Sequence, residues 1–234
     1  MIRTMETIAL IAAALSTSNA AAAQVKQQTF STPEEAAHAL FVAVQAGDEQ
    51  ALSRILGDDA PILSCGDERQ DDRDRQTFVD KFREMHRIAK EGDVDVLYVG
   101  AENWPFPFPL TARNGSWSFD ADGGKEEVLL RRIGQNELSA IDISIALQAL
   151  DAPDAVRVVG NPAPLNGYFF RKMPGAGTPP AFVAYPAEYG SSGIMTFAVS
   201  PEGIVYERDL GTGTPKLATA LRSENLDASW HAVR

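Results

Sequence analysis

The sequence predicts an α+β fold: N-terminal helices cover an antiparallel sheet, one long helix runs through the middle, and an antiparallel β-meander closes the chain. Three observations predict it. Apolar residues recur at helical spacing between Pro33 and Leu56, strand-like runs punctuated by a tight turn follow between Val94 and Phe119, and a run without breakers from Lys125 to Leu150 precedes four more strand-like runs.

In STPEEAAHALFVAVQAGDEQALSRIL, Ser31 or Thr32 supplies a capping oxygen, Pro33 suits a first helical turn, and Glu34 and Glu35 favour the positive helix end. Ala37, Leu40, Phe41 and Val44 share one face, Gly47 ends the helix, and Asp48 opens a second that turns Leu52, Ile55 and Leu56 inward. A third helix is expected from about Asp74 to Ala89 on the spacing of Phe78, Phe82 and Met85.

Strands are expected at Val94 to Gly100, across NWPFPFPL (Asn103 to Leu110), and at Ser116 to Phe119, with Asn114-Gly115 as a hairpin turn. Alternate side chains of a strand share a face, so Trp104, Phe106, Phe108 and Leu110 are expected to enter the core together. Pro105, Pro107 and Pro109 lack donors along one edge, which leaves residues 104, 106 and 108 to pair on the other. An exposed polyproline ligand would instead place these large apolar side chains in water. The stretch therefore reads as an edge strand.

The long helix is polar in its first half and, from Leu138, carries Leu138, Ala140, Ile141, Ile143, Ile145, Ala146 and Leu147 around nearly its whole circumference. Such a helix is buried on all sides, which predicts that two lobes clasp it. After an irregular crossing at Asp151 to Asn166, strands are expected in GYFFRKM, PAFVAYPAEYG, SGIMTFAV and GIVYERDLG, with a closing helix near Pro215 to Arg222.

The first 23 residues have the plan of a secretory signal peptide: Arg3, an apolar run from Ile8 to Leu15, and Ala21, Ala22 and Ala23 before the expected cleavage. A membrane span needs about 20 apolar residues, and Ser16 to Asn19 end this run well short. The expected organisation is residues 1–23 as leader, 24–124 as an N-terminal α+β lobe, 125–152 as the shared helix and 153–234 as a C-terminal β-meander lobe. Localisation is expected to be periplasmic or secreted. The net charge of −11 opposes binding to nucleic acid and to anionic membrane surfaces. Cys65 is the single cysteine, so no internal disulfide is available, and burial is favoured over a Cys65-linked dimer.

The segments TPEEAAHALFVAVQAGDEQALSRILG, ENWPFPFPL, WSFDADGGKEEVLLRRIGQNELSAI, GYFFR, FVAYPAEYGSSGIMTFAVSPEGIVYERDLG and the terminal ASW together resemble a bacterial family of exported proteins, domain of unknown function 2950. The resemblance covers nearly the whole mature chain and implies no particular activity. Members of that family carry a longer stretch between the long helix and the GYFFR-like strand, so a function housed there would be shortened or absent in this chain. The opening helices and a sheet ending in a tryptophan strand are also similar to the nuclear transport factor 2-like or cystatin-like folds. That similarity implies a curved antiparallel sheet closing a cone beneath the helices.

Chemistry-bearing motifs are sparse. His38, His86 and His231 lack metal-ligand spacing, and a Cys65, His86 and aspartate triad has no local signature beside the acidic LSCGDERQ. GDERQDDRDR interleaves arginines among its acids, and FDADGG fits a turn and helix cap better than a calcium loop. No catalytic residue, metal or cofactor is expected.

The remaining candidates lie on the polar half of the long helix. Glu127 and Arg131 are spaced for an ion pair, and Arg132, Asn136 and Glu137 are expected to line the lobe junction as a structural network or a ligand site. The expected function is non-enzymatic binding of an envelope protein or a small molecule. The alternative is a hydrolase-like or isomerase-like enzyme with its pocket inside the helix-covered cone.

Overall fold

A computed structural model of the chain describes residues 26–57, 68–149, 159, 163–174, 181–200, 202–222 and 226–233. The segment expected to be a leader, Cys65 and most of the 151–166 crossing lie outside the described residues.

Helix α1 (Pro33–Ala46) begins as its sequence requires. Thr32 Oγ1 accepts from the Glu35 amide at 3.1 Å while Glu35 Oε2 accepts from the Ser31 amide at 3.0 Å, so two donors at the helix start are satisfied reciprocally. Gly47, at φ 64°, ends the helix in the left-handed conformation that glycine tolerates best. Asp48 then caps α2 (Glu49–Leu56) by accepting from the Ala51 amide.

Helix α3 (Glu68–Glu84) starts earlier and stops earlier than its apolar spacing suggests. The residues expected to finish it form strand β1 (His86–Glu91), which pairs residue for residue with β2 (Val94–Val99). The two-residue connection Gly92-Asp93, with Gly92 at φ 60°, makes this a tight hairpin.

The proline stretch is a broken strand. In β3 (Trp104–Pro105), Trp104 lies opposite Val99 and Pro105 opposite Tyr98, and the Phe106 amide donates to the Leu97 carbonyl at 2.7 Å. An uninterrupted ladder would put Phe108 opposite Asp95. Instead Leu110, the first residue of β4 (Leu110–Arg113), occupies that place, so two extra residues are looped out where Pro107 and Pro109 cannot donate. A one-residue slip would turn the following side chains to the other face, whereas a two-residue slip keeps them. Phe106, Phe108 and Leu110 accordingly remain buried, but Trp104, expected among them, is 46% exposed.

Strand β5 (Ser116–Phe119) returns through Asn114-Gly115, both at positive φ, and its far edge is closed by reciprocal backbone hydrogen bonds between Phe30 and Trp117. The curved, cone-closing sheet of a nuclear transport factor 2-like or cystatin-like fold is not what forms. The β1–β2 and β4–β5 hairpins meet through the single residue pair Asp95 and Leu110, with β3 as a short side branch. Helices α1, α2 and α3 and this sheet bury a shared core containing Leu40, Leu56, Phe82, Leu97, Phe108 and Phe119.

Asp120 opens α4 (Ala121–Ala149): its carboxylate accepts from the Gly123 amide at 3.2 Å and its carbonyl from Gly124 at 2.9 Å. A Cβ on Gly124 would overlap the Phe108 ring, so glycine lets the helix lie directly on the first core. Val128, one turn later, packs there too, whereas Ala140, Ile141, Ser144 and Leu147 are buried farther along, with Ala140, Ile141 and Leu147 in the core of the second sheet. At about 100° per residue these two sets lie about half a turn apart. The helix is therefore not clasped on all sides: Leu138 and Ile145, expected to be enclosed, are 56% and 38% exposed.

The second sheet is a continuous antiparallel meander of β6 (Tyr168–Lys172), β7 (Phe182–Pro186), β8 (Met195–Val199), β9 (Val205–Asp209) and β10 (His231–Ala232). Phe182, Ala184, Phe197 and Val199 face the α4 side, while Val183 and Ala198 join Trp230 and Ala218 on the other. Ala218 belongs to α5 (Thr214–Ala220), so both faces of the central strands are covered. That is why β7 and β8 read as apolar runs rather than alternating patterns. Arg171 on β6 reaches the end of α5, donating to the Ala218 carbonyl at 2.6 Å and the Leu221 carbonyl at 3.1 Å.

Candidate functional site

The five polar residues singled out on α4 form two clusters and one outlier. Arg131 donates from Nε to Glu127 Oε1 at 2.7 Å and from a terminal nitrogen to the Pro105 carbonyl at 2.8 Å, and its guanidinium carbon sits 5.2 Å from the Trp104 ring centre. This cluster fixes the helix to the proline stretch through the Pro105 carbonyl and the Trp104 ring.

The second cluster faces the other sheet. Asn136 donates to the Ser192 carbonyl at 2.9 Å, and Glu137 Oε1 accepts from both the Ile194 and Met195 amides at 2.9 Å. Glu137 thus satisfies two amides at the entrance to β8, ahead of its ladder with β7, which begins at Phe197. Tyr168, fully buried beneath, donates its hydroxyl to the Met195 carbonyl at 2.9 Å. Burial pushes its phenol well above the usual tyrosine range, and the charge and hydrogen bonding of Glu137 push in the same direction. Gly167 and Gly193 allow this close fit: a Cβ at the first would come within 2.6 Å of Asn136 Nδ2, and one at the second would overlap the Tyr168 hydroxyl.

Between Arg131 and Asn136 the helix rises about 7.5 Å at 1.5 Å per residue. The structure brings Glu127 to Arg131, and Asn136 and Glu137 to the 192–195 segment, without bringing the two clusters to one point. Arg132 is exposed on another side of α4.

A different place carries residues that sequence reasoning passed over. Between α1 and the corner where α3 turns into β1 lies a groove of about 560 Å³. Along it four rings succeed one another in nearly parallel planes. His38 and Phe41 are 6.4 Å apart at 17°, Phe41 and Phe82 4.7 Å at 22°, and Phe82 and His86 3.9 Å at 12°. His86 Nδ1 lies 2.9 Å from the Phe82 carbonyl, which can only accept, so that nitrogen carries the proton.

Two guanidinium groups border the groove. Arg83 lies 5.7 Å from the Phe41 ring centre. Arg87 lies 4.2 Å from the Tyr98 ring centre and donates from Nε to Asn103 Oδ1 at 2.8 Å, which orients its planar head. Glu34 is the one acidic residue of the lining. The helical spacings of His38 with Phe41 and of Phe82 with His86 are visible in the sequence, but their juxtaposition requires α1 and α3 to pack.

Among the described residues, no group of three or more histidine, cysteine, aspartate or glutamate side chains is placed to hold a metal ion, and no helix is long and apolar enough to cross a membrane. Cys65 lies outside the described residues, so the geometry of a triad with His86 is not on view.

No curated protein and no solved structure matches the chain. A family model described as a protein of unknown function, DUF2950, matches residues 27–157 and 148–233, the two matches overlapping at 148–157. Together they span residues 27–233, and the chain belongs to that family.

Proposed function

We propose that this is an exported protein of the bacterial envelope that acts by binding a partner protein rather than by catalysis. Its leader is removed near Ala23 and the mature chain works in the periplasm or outside the cell. In this reading residues 24–124 and 153–234 are two lobes joined by the shared helix at 125–152. The observation that carries it is that three large apolar side chains on one side of α4 stay uncovered around Ile141, which the second sheet buries. Leu130, Leu138 and Ile145 lie within about a quarter of the helix circumference and are 51%, 56% and 38% exposed. Solvent-facing leucines aligned on a helix that already serves two cores suit a third packing partner. Glu127, Arg131, Asn136 and Glu137 serve in this reading as fasteners that hold the face in place, and Arg132 marks the opposite, polar side.

A catalytic pocket within a helix-covered cone is not proposed. The first sheet does not close such a cone, and Phe106, Phe108, Leu110 and Phe119 fill the space beneath the helices.

The test places a photo-crosslinking amino acid at Leu138 in the full chain, expressed in a bacterium with its leader, and at Arg132 as the control. A discrete protein adduct from position 138 that is absent from position 132 is expected. Equal adducts at both positions, or none, would count against the proposal. The intact mass of the exported product should correspond to a chain beginning at Gln24.

A further inference from the structure

We propose that the groove between α1 and the α3–β1 corner binds a planar aromatic carboxylate. This goes beyond the partner-binding reading of α4, concerns a different surface, and stands or falls separately from it.

The floor selects for shape. Phe41, Phe82 and His86 stack face to face, with His38 next in the series, so the series turns ring edges rather than ring faces to the groove, and a flat aromatic face meets such edges in the edge-to-face arrangement that a puckered ring lacks. Phe82 is buried and Phe41 half-buried, so packing holds the inner rings rather than leaving them free to turn. The hollow, about 560 Å³, falls within the range of small-molecule sites.

The rim selects for charge. The chain carries a net charge of −11, yet this lining holds two arginines against the single Glu34. A guanidinium is a planar fork that meets a carboxylate through two parallel N–H donors. Asn103 and the Tyr98 ring hold Arg87 by its Nε and its face, which leaves the terminal nitrogens to the ligand, while Arg83 over Phe41 supplies a second cation beside the same floor. His86, with Nδ1 committed to the Phe82 carbonyl, offers Nε2 as a further polar contact.

Three probes separate shape from charge in titrations of the full-length protein after export. They are 2-naphthoate, which is planar and anionic, 2-naphthylmethanol, which is planar and neutral, and cyclohexanecarboxylate, which is anionic and puckered. Calorimetry should show saturable binding of 2-naphthoate, with each of the other two weaker by about tenfold or more, the loss expected when a charge-assisted pair or the ring contact is removed. Amide chemical-shift changes should centre on His38, Phe41, Arg83 and His86.

Arg83→Gln, at an exposed position, should weaken 2-naphthoate binding by a similar factor with the thermal midpoint unchanged. His38→Ala, also exposed, provides an independent variant that removes one end of the ring series. Absence of binding by 2-naphthoate, equal binding of the neutral probe, shift changes centred elsewhere, or undiminished affinity in both variants would overturn the proposal.

Discussion

The two sheets of this protein solve the same problem, burying an antiparallel array, with opposite degrees of continuity. The second is a full meander whose central strands are covered on both sides, so each strand supports its neighbours along most of its length. The first is two hairpins joined by one residue pair and a looped-out proline segment, and its coherence comes from side chains, chiefly Phe106, Phe108, Leu110 and Phe119 against three helices. Backbone pairing organises one region and core packing the other. Helix α4 connects them by using a different face and different chemistry for each: a glycine and an arginine toward the first, an asparagine and a glutamate toward the second.

That contrast is broken most directly by removing the ring at the centre of the first core. Phe108→Ala should destabilise the protein by about 3–5 kcal/mol, the usual cost of emptying an aromatic site in a packed core. In native-state hydrogen exchange the loss of protection should concentrate in β1, β2, β4 and β5 and spare β7 and β8. A uniform loss across both sheets would mean that the two regions unfold as one unit.

The second region is tested through its carboxylate anchor. Glu137→Ala leaves the Ile194 and Met195 amides without their acceptor and should cost about 1–3 kcal/mol in denaturant unfolding, whereas Glu137→Gln, which retains an amide oxygen, should cost less. Equal losses in the two variants would assign the effect to the charge rather than to hydrogen bonding.

The same cluster has a pH signature with a definite sign. Tyr168 titrates above the ordinary tyrosine range in the fold because of burial, assisted by Glu137, and near pH 10 when unfolded. The folded state therefore holds the proton more tightly, so the stabilisation from this group is complete below about pH 10 and declines as pH rises above it. Ultraviolet titration should show Tyr168 ionising at higher pH than the half-buried tyrosines, and the denaturation midpoint should fall in the same alkaline range. In Tyr168→Phe that part of the alkaline decline should disappear.

Crowding the first interface is expected to act next. Gly124→Ala drives a methyl group into the Phe108 ring and should cost about 1–3 kcal/mol, the range for overpacking, with the loss again confined to the first sheet and the start of α4. The smallest effect belongs to the half-exposed fastener. Arg131→Met removes the donors to Glu127 and Pro105 but leaves an apolar stem against Trp104, and should cost about 1 kcal/mol or less. A loss as large as that of Phe108→Ala would show that the arginine, and not the core, holds the first sheet to α4.

Several elements were legible before any coordinates because their determinants are local. Thr32 and Glu35 lie a turn apart, Asn114-Gly115 permits two consecutive positive φ values, and β5 occupies the residues its pattern indicates. Strand β1 was missed because HRIAKE follows smoothly from an amphipathic helix. Only pairing with Val94 to Val99 across Gly92-Asp93 makes it a strand. Trp104 was misplaced for a related reason: its alternation with Phe106 is genuine, but Arg131, distant in sequence, offers its ring a partially solvated resting place.

On the candidate site, the i, i+4 spacing of Glu127 and Arg131 announced their ion pair, whereas the roles of Asn136 and Glu137 depend on backbone groups 56 to 58 residues away. The ring series of the groove was equally hidden, since His38 and His86 come together only through the Phe41 and Phe82 contact between helices.

By itself the sequence indicated most elements of the described chain, but not strands β1 and β10, either end of α3, or the break of the proline stretch into β3 and β4. It also determined the absence of an internal disulfide, the acidic surface charge, and, through its motifs, the family. Those properties depend on spacing within a few residues, on composition, or on motif order along the chain. The tertiary structure alone decided that the first sheet would break rather than curve, that α4 would keep an open apolar side, and that four rings would line a groove bordered by two arginines. Each of these depends on which surfaces meet: a backbone without donors at Pro107 and Pro109 cannot continue its ladder, and the packing of Phe106, Phe108 and Leu110 in the core sets its path instead.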